Sequence, residues 1–164
     1  CPMSILKVDE IQDTAGKKIL QNTGGVLQVV NATATAAQST TSSTFVDTTL
    51  SASITPTSST SKILVICQPN IRVYNNAGAD SRGDFRILRG STEVSKFRAR
   101  CYDYGSSGAI LDIGSSLVGL DSPATTSSTT YKMQYAKFQG AAVELNPGGS
   151  SQDISTLTLI EISA

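Results

Sequence analysis

The sequence contains no histidine, and aromatic residues make up only 5% of it. Histidine is the commonest general base and metal ligand, so its absence removes most acid–base mechanisms and most metal sites. The three cysteines do not replace it, because none of them forms a Cys-x-x-Cys pair. The composition therefore predicts a protein without a metal or another cofactor, and it argues against an enzyme.

Charge is also scarce. Charged residues are 16% of the chain, and 13 basic residues balance 13 acidic ones. A neutral chain sets up no long-range field toward nucleic acid or an acidic membrane, so neither is expected as a partner. No apolar run approaches the roughly 18 residues of a transmembrane helix, and no secretory signal is recognisable. Instead, serine and threonine supply about a quarter of the residues, which suits exposed strand faces and turns.

The cysteine count is odd, so at most one intramolecular disulfide can form among Cys1, Cys67 and Cys101. The spacing does not say which pair that would be. Cys67 lies in an apolar run, and for it we expect a buried free thiol.

Strand patterns fill most of the chain. Residues 50–54 and residues 130–138 alternate between apolar and polar side chains. Residues 62–67 form a segment of strand length that is continuously apolar after Lys62, as expected for a strand that is covered on both faces. Eight or more such segments, with turns at intervals of about 8 to 15 residues, predict an all-β fold. We expect an antiparallel β-sandwich, jelly-roll-like, over residues 26–164.

Residues 1–25 differ from the rest, because their apolar residues flank a turn at residues 13–16 and lack an obvious core. This pattern predicts a short β-hairpin, which alone is marginally stable in water. It is either an attachment segment that packs against another chain or simply the first two strands of the domain.

The opening residues 6–16, LKVDEIQDTAG, resemble the start of many bacteriophage virion proteins. Those proteins are tail-fibre-like or decoration-like and are frequent in marine and cyanobacterial phages. Six later stretches resemble, in this order, the globular module that such proteins carry: residues 45–56, 61–65, 86–92, 121–123, 130–132 and 159–162. The resemblance covers most of the chain, and none of its motifs is a catalytic signature.

This resemblance implies a homotrimer on the virion surface with a structural or host-contacting function. The N-terminal segment would then dock onto other virion proteins of the tail or capsid through four apolar residues: Ile5, Leu6, Val8 and Ile11. A long fibre has a shaft between its anchor and its head, whereas here the anchor leads directly into the globular module. A short tail fibre, a fibre tip and a capsid decoration protein therefore all remain open.

Two sets of residues are candidates for contact surfaces. Cations cluster on two neighbouring predicted strands: Arg86, Arg89, Lys96, Arg98 and Arg100. They could bind an anion or a host-surface glycan, meet a neighbouring subunit, or form a solvated face balanced by nearby acidic residues. The second set shares one face of a strand and could be a subunit contact or equally a core face: Tyr131, Met133 and Tyr135.

Catalytic alternatives are weaker. The chain has no Gly-x-Ser-x-Gly sequence and no histidine to activate a serine. A short polysaccharide depolymerase would need a pair of carboxylates, for which the candidates are Asp103, Asp112, Asp121 and Glu144. The residues 82–84 match the integrin-recognition tripeptide, which functions only on an exposed loop tip, but they lead into a predicted strand.

Overall fold

A computed structural model of the chain describes residues 11–12, 18–20, 24–75, 80–102, 108, 110–149 and 153–164, the first two ranges by their backbone alone. The regular secondary structure of these residues consists of β-strands, which are joined by turns and loops. Their bounds are β1 Ile11–Gln12, β2 Lys18–Leu20, β3 Val26–Ala34, β4 Gln38–Thr40, β5 Val46–Ile54, β6 Lys62–Gln68, β7 Asn70–Tyr74, β8 Ser81–Arg89, β9 Thr92–Cys101, β10 Ile110–Gly114, β11 Leu117–Asp121, β12 Thr129–Gln139, β13 Ala142–Leu145 and β14 Ser155–Ile162. No helix that could cross a membrane occurs among the described residues.

Eight of these strands pair up end to end into four bent arms. In one half, β11, β6, β14 and β3 pair in that order, and in the other half, β10, β7, β13 and β4 pair in that order. Each arm therefore consists of two strands that are consecutive in the chain: β10 with β11, β6 with β7, β13 with β14, and β3 with β4. The break between β6 and β7 falls at Pro69, which has no backbone N–H to donate. Its carbonyl accepts a hydrogen bond from the Ser115 N–H at 3.0 Å, at the break between β10 and β11. The eight strands therefore form one four-armed sheet, called the bent sheet below.

The opposing sheet contains β5, β12, β8 and β9 in that order. The four bent arms and the four strands of the opposing sheet make eight arms, which we number along the chain from β3. Across the bent sheet their order is first, eighth, third and sixth. Those of the opposing sheet run in the order second, seventh, fourth and fifth. This arrangement of eight antiparallel arms is that of a jelly roll, so the predicted all-β sandwich is confirmed.

The core lies between the two sheets. In β5 the side chains of Leu50, Ala52 and Ile54 face inward, as the alternation predicts, and the intervening serines face outward. The inward residues of β6, β14 and β12 complete this core. Burial of these aliphatic and aromatic side chains is the main contribution that stabilises the two-sheet arrangement.

The structure also places three features named above. Cys67 is a buried free thiol, and Cys101 is free as well. The tripeptide at residues 82–84 lies inside β8 rather than on a loop tip. At the N-terminus β1 and β2 pair antiparallel, whereas Ile5, Leu6 and Val8 lie outside the described residues.

Candidate functional site

The cations singled out from the sequence lie mostly on the outer face of the opposing sheet. The antiparallel register places Asp84 opposite Arg98 and Arg86 opposite Lys96. Residues directly opposite each other point to the same side of a sheet. We call this surface the arginine face; it consists of Asp84, Arg86, Glu93, Lys96, Arg98 and Arg100, with Phe45 and Phe138 beside them.

Most of these cations already have acidic partners. Arg98 forms a two-point ion pair with Asp84. Lys96 lies 2.8 Å from Glu93, and Arg86 lies 3.6 Å from the same carboxylate. The hydrogen bond from Lys96 is the main reason why the pKa of Glu93 is below its ordinary value. An anionic ligand would have to compete with these carboxylates, so the arginine face is a balanced surface and not a strong anion site.

Two guanidinium groups also stack on aromatic rings. The Arg86 guanidinium carbon lies 3.9 Å from the centre of the Phe45 ring, and that of Arg98 lies 3.7 Å from the centre of the Phe138 ring. Such cation–π contacts hold the flat guanidinium in one orientation and reduce its freedom. A shallow groove of about 490 Å³ runs beside them, lined among others by Phe45, Glu93 and Lys96. The face therefore offers rigid flat groups and polar edges in one place.

Arg89 and Arg100 have different surroundings. Arg89 lies three positions from Arg86, and it is paired with Tyr131, whose side chain points into the core. On this inner side of the sheet the Arg89 guanidinium donates a hydrogen bond to the Asp121 carboxylate at 2.5 Å. The Tyr131 hydroxyl donates to the same carboxylate at 2.8 Å. Because Asp121 belongs to the bent sheet and Arg89 to the opposing sheet, the pair ties the two sheets together. Arg89 is therefore not part of the outer contact surface; Arg100 is, and it donates to the Tyr102 hydroxyl at 3.0 Å.

Tyr131, Met133 and Tyr135 are buried inside a single chain. A side chain with almost no exposed surface cannot touch a second copy, so the structure corrects the subunit-contact interpretation in favour of the core interpretation. Met133 packs in that core with its sulfur 3.9 Å from the Cys67 sulfur. Desolvation raises the pKa of the Cys67 thiol to about 12, so this thiol is not a nucleophile at neutral pH.

Three of the four carboxylates considered for catalysis form ion pairs with arginines. Asp112 accepts hydrogen bonds from Arg72 at 2.5 and 2.7 Å, and Glu144 lies 3.4 Å from the other side of the same guanidinium. The hydrogen bond from Arg72 is the main cause of the lowered pKa of Asp112. A general acid needs a raised pKa, so this arrangement does not suit glycan cleavage. Asp103 lies outside the described residues.

A second surface, which the sequence analysis did not identify, lies on the outside of the bent sheet. The register of β11, β6, β14 and β3 places four aliphatic residues in one row across the sheet: Leu120, Leu64, Ile160 and Val29. Val118 and Ile66 form a second row on one side, and Ile162 and Val26 form a third on the other side. We call these eight residues the aliphatic face. Leu120 is 63% exposed and Val29 is 57% exposed, so this face is open in the single chain.

The other half of the bent sheet has an outer face of ordinary polarity. There the register aligns Asp112, Arg72, Glu144 and Ser39 across the four strands. An ion-paired row of this kind is compatible with water. Ile110 at the start of β10 is exposed on this half as well, but contiguous aliphatic rows occur on the half built from β3, β6, β11 and β14. One signal in the sequence marks it, namely the unbroken apolar run of residues 63–67.

A scan against protein-family models finds no match to the chain, and a search among curated proteins finds none either. Among solved structures, the chain is similar to the D431N mutant VP2 protein of infectious bursal disease virus, from derived T=1 particles. The identity is 17% and the TM-score is 0.36. The similarity covers 83% of this chain but 36% of that chain, so the present chain spans about a third of its length. A likeness at this level carries no conclusion about function.

Proposed function

We propose that the chain is a non-enzymatic structural protein of a bacteriophage virion, a short tail fibre or fibre tip that functions in virion attachment and host-surface contact. It would lie on the surface of the particle as a homotrimer joined to other virion proteins. The resemblance of residues 6–16 and of the later stretches to phage virion proteins gives the class. The structure adds a jelly roll with two unlike outer faces.

The aliphatic face is the observation that carries this proposal. Soluble monomers rarely expose contiguous apolar patches larger than a few hundred Å², and the largest exposed patch of a protein is often an interaction site. Here the row from Leu120 to Val29 crosses all four strands of its half-sheet. A protein that functions within an assembly covers such a face. The neutral net charge fits the same setting, because it supplies little repulsion between neighbouring molecules.

The arginine face supports the host-contact part of the proposal. It lies on the opposing sheet, away from the aliphatic face, and it carries stacked Arg–Phe pairs beside a groove. Flat, rigid groups with polar edges are suited to the rings and hydroxyls of a host-surface glycan. Lys96 is the most exposed cation of this groove, and it is the residue that a glycan would reach first.

Immunogold labelling of purified particles with an antibody against this chain tests the proposal. We expect gold at the tail, with no label from pre-immune serum. Label spread over the head would instead make the chain a capsid decoration protein, and loss of heat stability in particles that lack it would follow. Absence of label from every particle contradicts the virion function. Cleavage of host polysaccharide by the pure chain would contradict the non-enzymatic assignment and favour a depolymerase.

A further inference from the structure

We infer that copies of this chain bind one another through the aliphatic face, so that Leu64, Ile66 and Ile160 lie at the centre of the subunit contact. The inference rests on the proposed structural function and names the surface that its assembly uses. It replaces the side chains of β12 as the candidate subunit contact, since those are buried within one chain.

The pattern of β6 supports a covered face. A strand with one face toward a core and one toward water alternates between apolar and polar residues, whereas a strand covered on both faces is apolar throughout. Residues 63–67 of β6 are all apolar, yet only Ile63, Val65 and Cys67 reach the core of the single chain. Leu64 and Ile66 point outward and are half-buried by their neighbours alone. The sequence is therefore that of a strand with a second layer on its outer side.

The neighbouring strand β14 supports the same conclusion. Its outward positions change from threonine at Thr156 and Thr158 to isoleucine at Ile160 and Ile162. This change occurs level with Leu64 on β6. On β6 the aliphatic residues extend one row further, because Ile66 lies opposite Thr158 and Gln68 lies opposite Thr156. The polar border therefore runs obliquely across the two strands, as expected for the hydroxyl-rich rim of one contact surface.

The size of the aliphatic face argues for a partner as broad as a sheet. Four strands about 4.8 Å apart give a surface roughly 19 Å wide. A two-stranded hairpin, which is what residues 1–25 predict, would cover about half of that width. The four-stranded sheet of a second jelly roll has the same width and covers it completely.

The charge of the face argues that this partner is another copy of the chain. Among the described residues the only charged one bordering these rows is Lys62, opposite Ile162, and its ammonium group donates to Ser122 at 2.7 Å. Two copies of this surface can therefore meet without repulsion between like charges and without burying an unpaired charge. A partner chosen by charge would have left a complementary charge pattern here, as the arginine face has.

Light scattering coupled to size-exclusion chromatography tests the inference on the full chain. We expect the mass of two or more copies for the natural sequence, and dissociation at least roughly tenfold easier for Leu120→Lys. Ile110→Lys is the matched control, because Ile110 is also 63% exposed but lies in β10, on the polar half of the bent sheet. The control should keep the natural mass. Circular dichroism of both variants checks that they are folded.

The outcomes separate the inference from the proposed function. A natural chain that is monomeric at all concentrations overturns the inference, even if gold labels the virion, because the face would then meet another protein or residues 1–25. An oligomer that Leu120→Lys and Val29→Lys both leave intact places the contact elsewhere and also overturns it. An oligomer that dissociates in both variants, and not in the control, supports the inference even if no particle is labelled.

Discussion

Glu161 is a buried carboxylate whose replacement tests how the sandwich is held together. It lies on β14 with its side chain fully buried. One carboxylate oxygen accepts hydrogen bonds from the Thr57 backbone N–H at 2.7 Å and from the Thr57 hydroxyl at 2.8 Å. The other accepts from the Gln28 side-chain amide at 2.5 Å. Glu161 thus joins the turn after β5 to the two strands β14 and β3.

The pKa of Glu161 shows how strongly this site prefers the charged form. Burial alone would raise it, but the hydrogen bonds from Gln28 and Thr57 outweigh burial, and the pKa is lowered from 4.5 to about 2. The folded pKa lies below the unfolded one, so the stabilisation is fully present above about pH 5 and is lost as the pH falls toward 2. A pKa lowered from 4.5 to about 2 corresponds to roughly 3 kcal/mol of unfolding free energy at neutral pH.

We predict that Glu161→Gln lowers the unfolding free energy by about 2–3 kcal/mol at pH 7. The glutamine amide has the same shape, but its NH₂ group faces donors and leaves at least one of them unsatisfied. Rotation of the Gln28 amide does not repair this, because its NH₂ group also donates to the Thr55 carbonyl at 2.7 Å. Urea unfolding followed by circular dichroism measures the difference.

The pH dependence provides the sharper test. Other acidic groups also titrate, but the difference between the natural chain and Glu161→Gln isolates this one site. We expect that difference to shrink by more than half between pH 6 and pH 3. Glu144→Gln is the control, since Glu144 is partly exposed and pairs with Arg72 at 3.4 Å; it should change stability by less than about 1 kcal/mol. A gap that stays constant over this pH range, or one below about 0.5 kcal/mol at pH 7, would refute the reasoning.

Two further predictions concern packing and thiol chemistry. Gly83→Ala should destabilise the chain by about 1–3 kcal/mol in thermal or urea unfolding, because an added Cβ would lie 2.8 Å from a Val143 methyl group. Gly114→Ala, where the same atom meets open space, should leave stability nearly unchanged, and equal effects would contradict the packing argument. In the folded protein a thiol reagent should modify Cys101 and leave Cys67 unmodified until urea unfolds the chain. Peptide mapping by mass spectrometry reads both sites, and rapid labelling of Cys67 under native conditions would show that the core opens easily.

The fold class could be predicted because it depends on local patterns. Alternation in residues 50–54 sends Leu50 and Ile54 to the core and the serines to water, in the sequence as in the structure. The bend of the arms could not be predicted this way. It depends on four chain segments breaking at the same level. Pro69, Gly114 and the residues 147–149 mark three of those breaks in the sequence, but nothing local shows that the breaks lie side by side.

The candidate surfaces were predictable only in part, because a pattern gives the face of a strand but not what covers that face. The alternation of residues 131–135 gives one apolar face, and a core and a subunit contact produce the same pattern. Arg89 lies three positions from Arg86 in β8, so strand alternation alone could have placed the two side chains on opposite faces. The ion pair of Arg89 with Asp121 could not be predicted in this way, because Asp121 belongs to the other sheet. The aliphatic face could not be predicted as a whole, although the apolar run of β6 marks part of it. Its rows join residues that are far apart in the chain, such as Val29 and Ile160, which are 131 positions apart.

The two outer faces of the sandwich differ in how their polar and apolar groups are arranged. On the arginine face nearly every cation is matched by a carboxylate or an aromatic ring, so that surface presents polarity without net charge. On the aliphatic face polarity is absent from the centre and returns as threonines at the border. Covering the second face removes the largest apolar surface from water and leaves the first one outside. In the inferred assembly the bent sheet therefore lies inside and the arginine face points toward the surroundings.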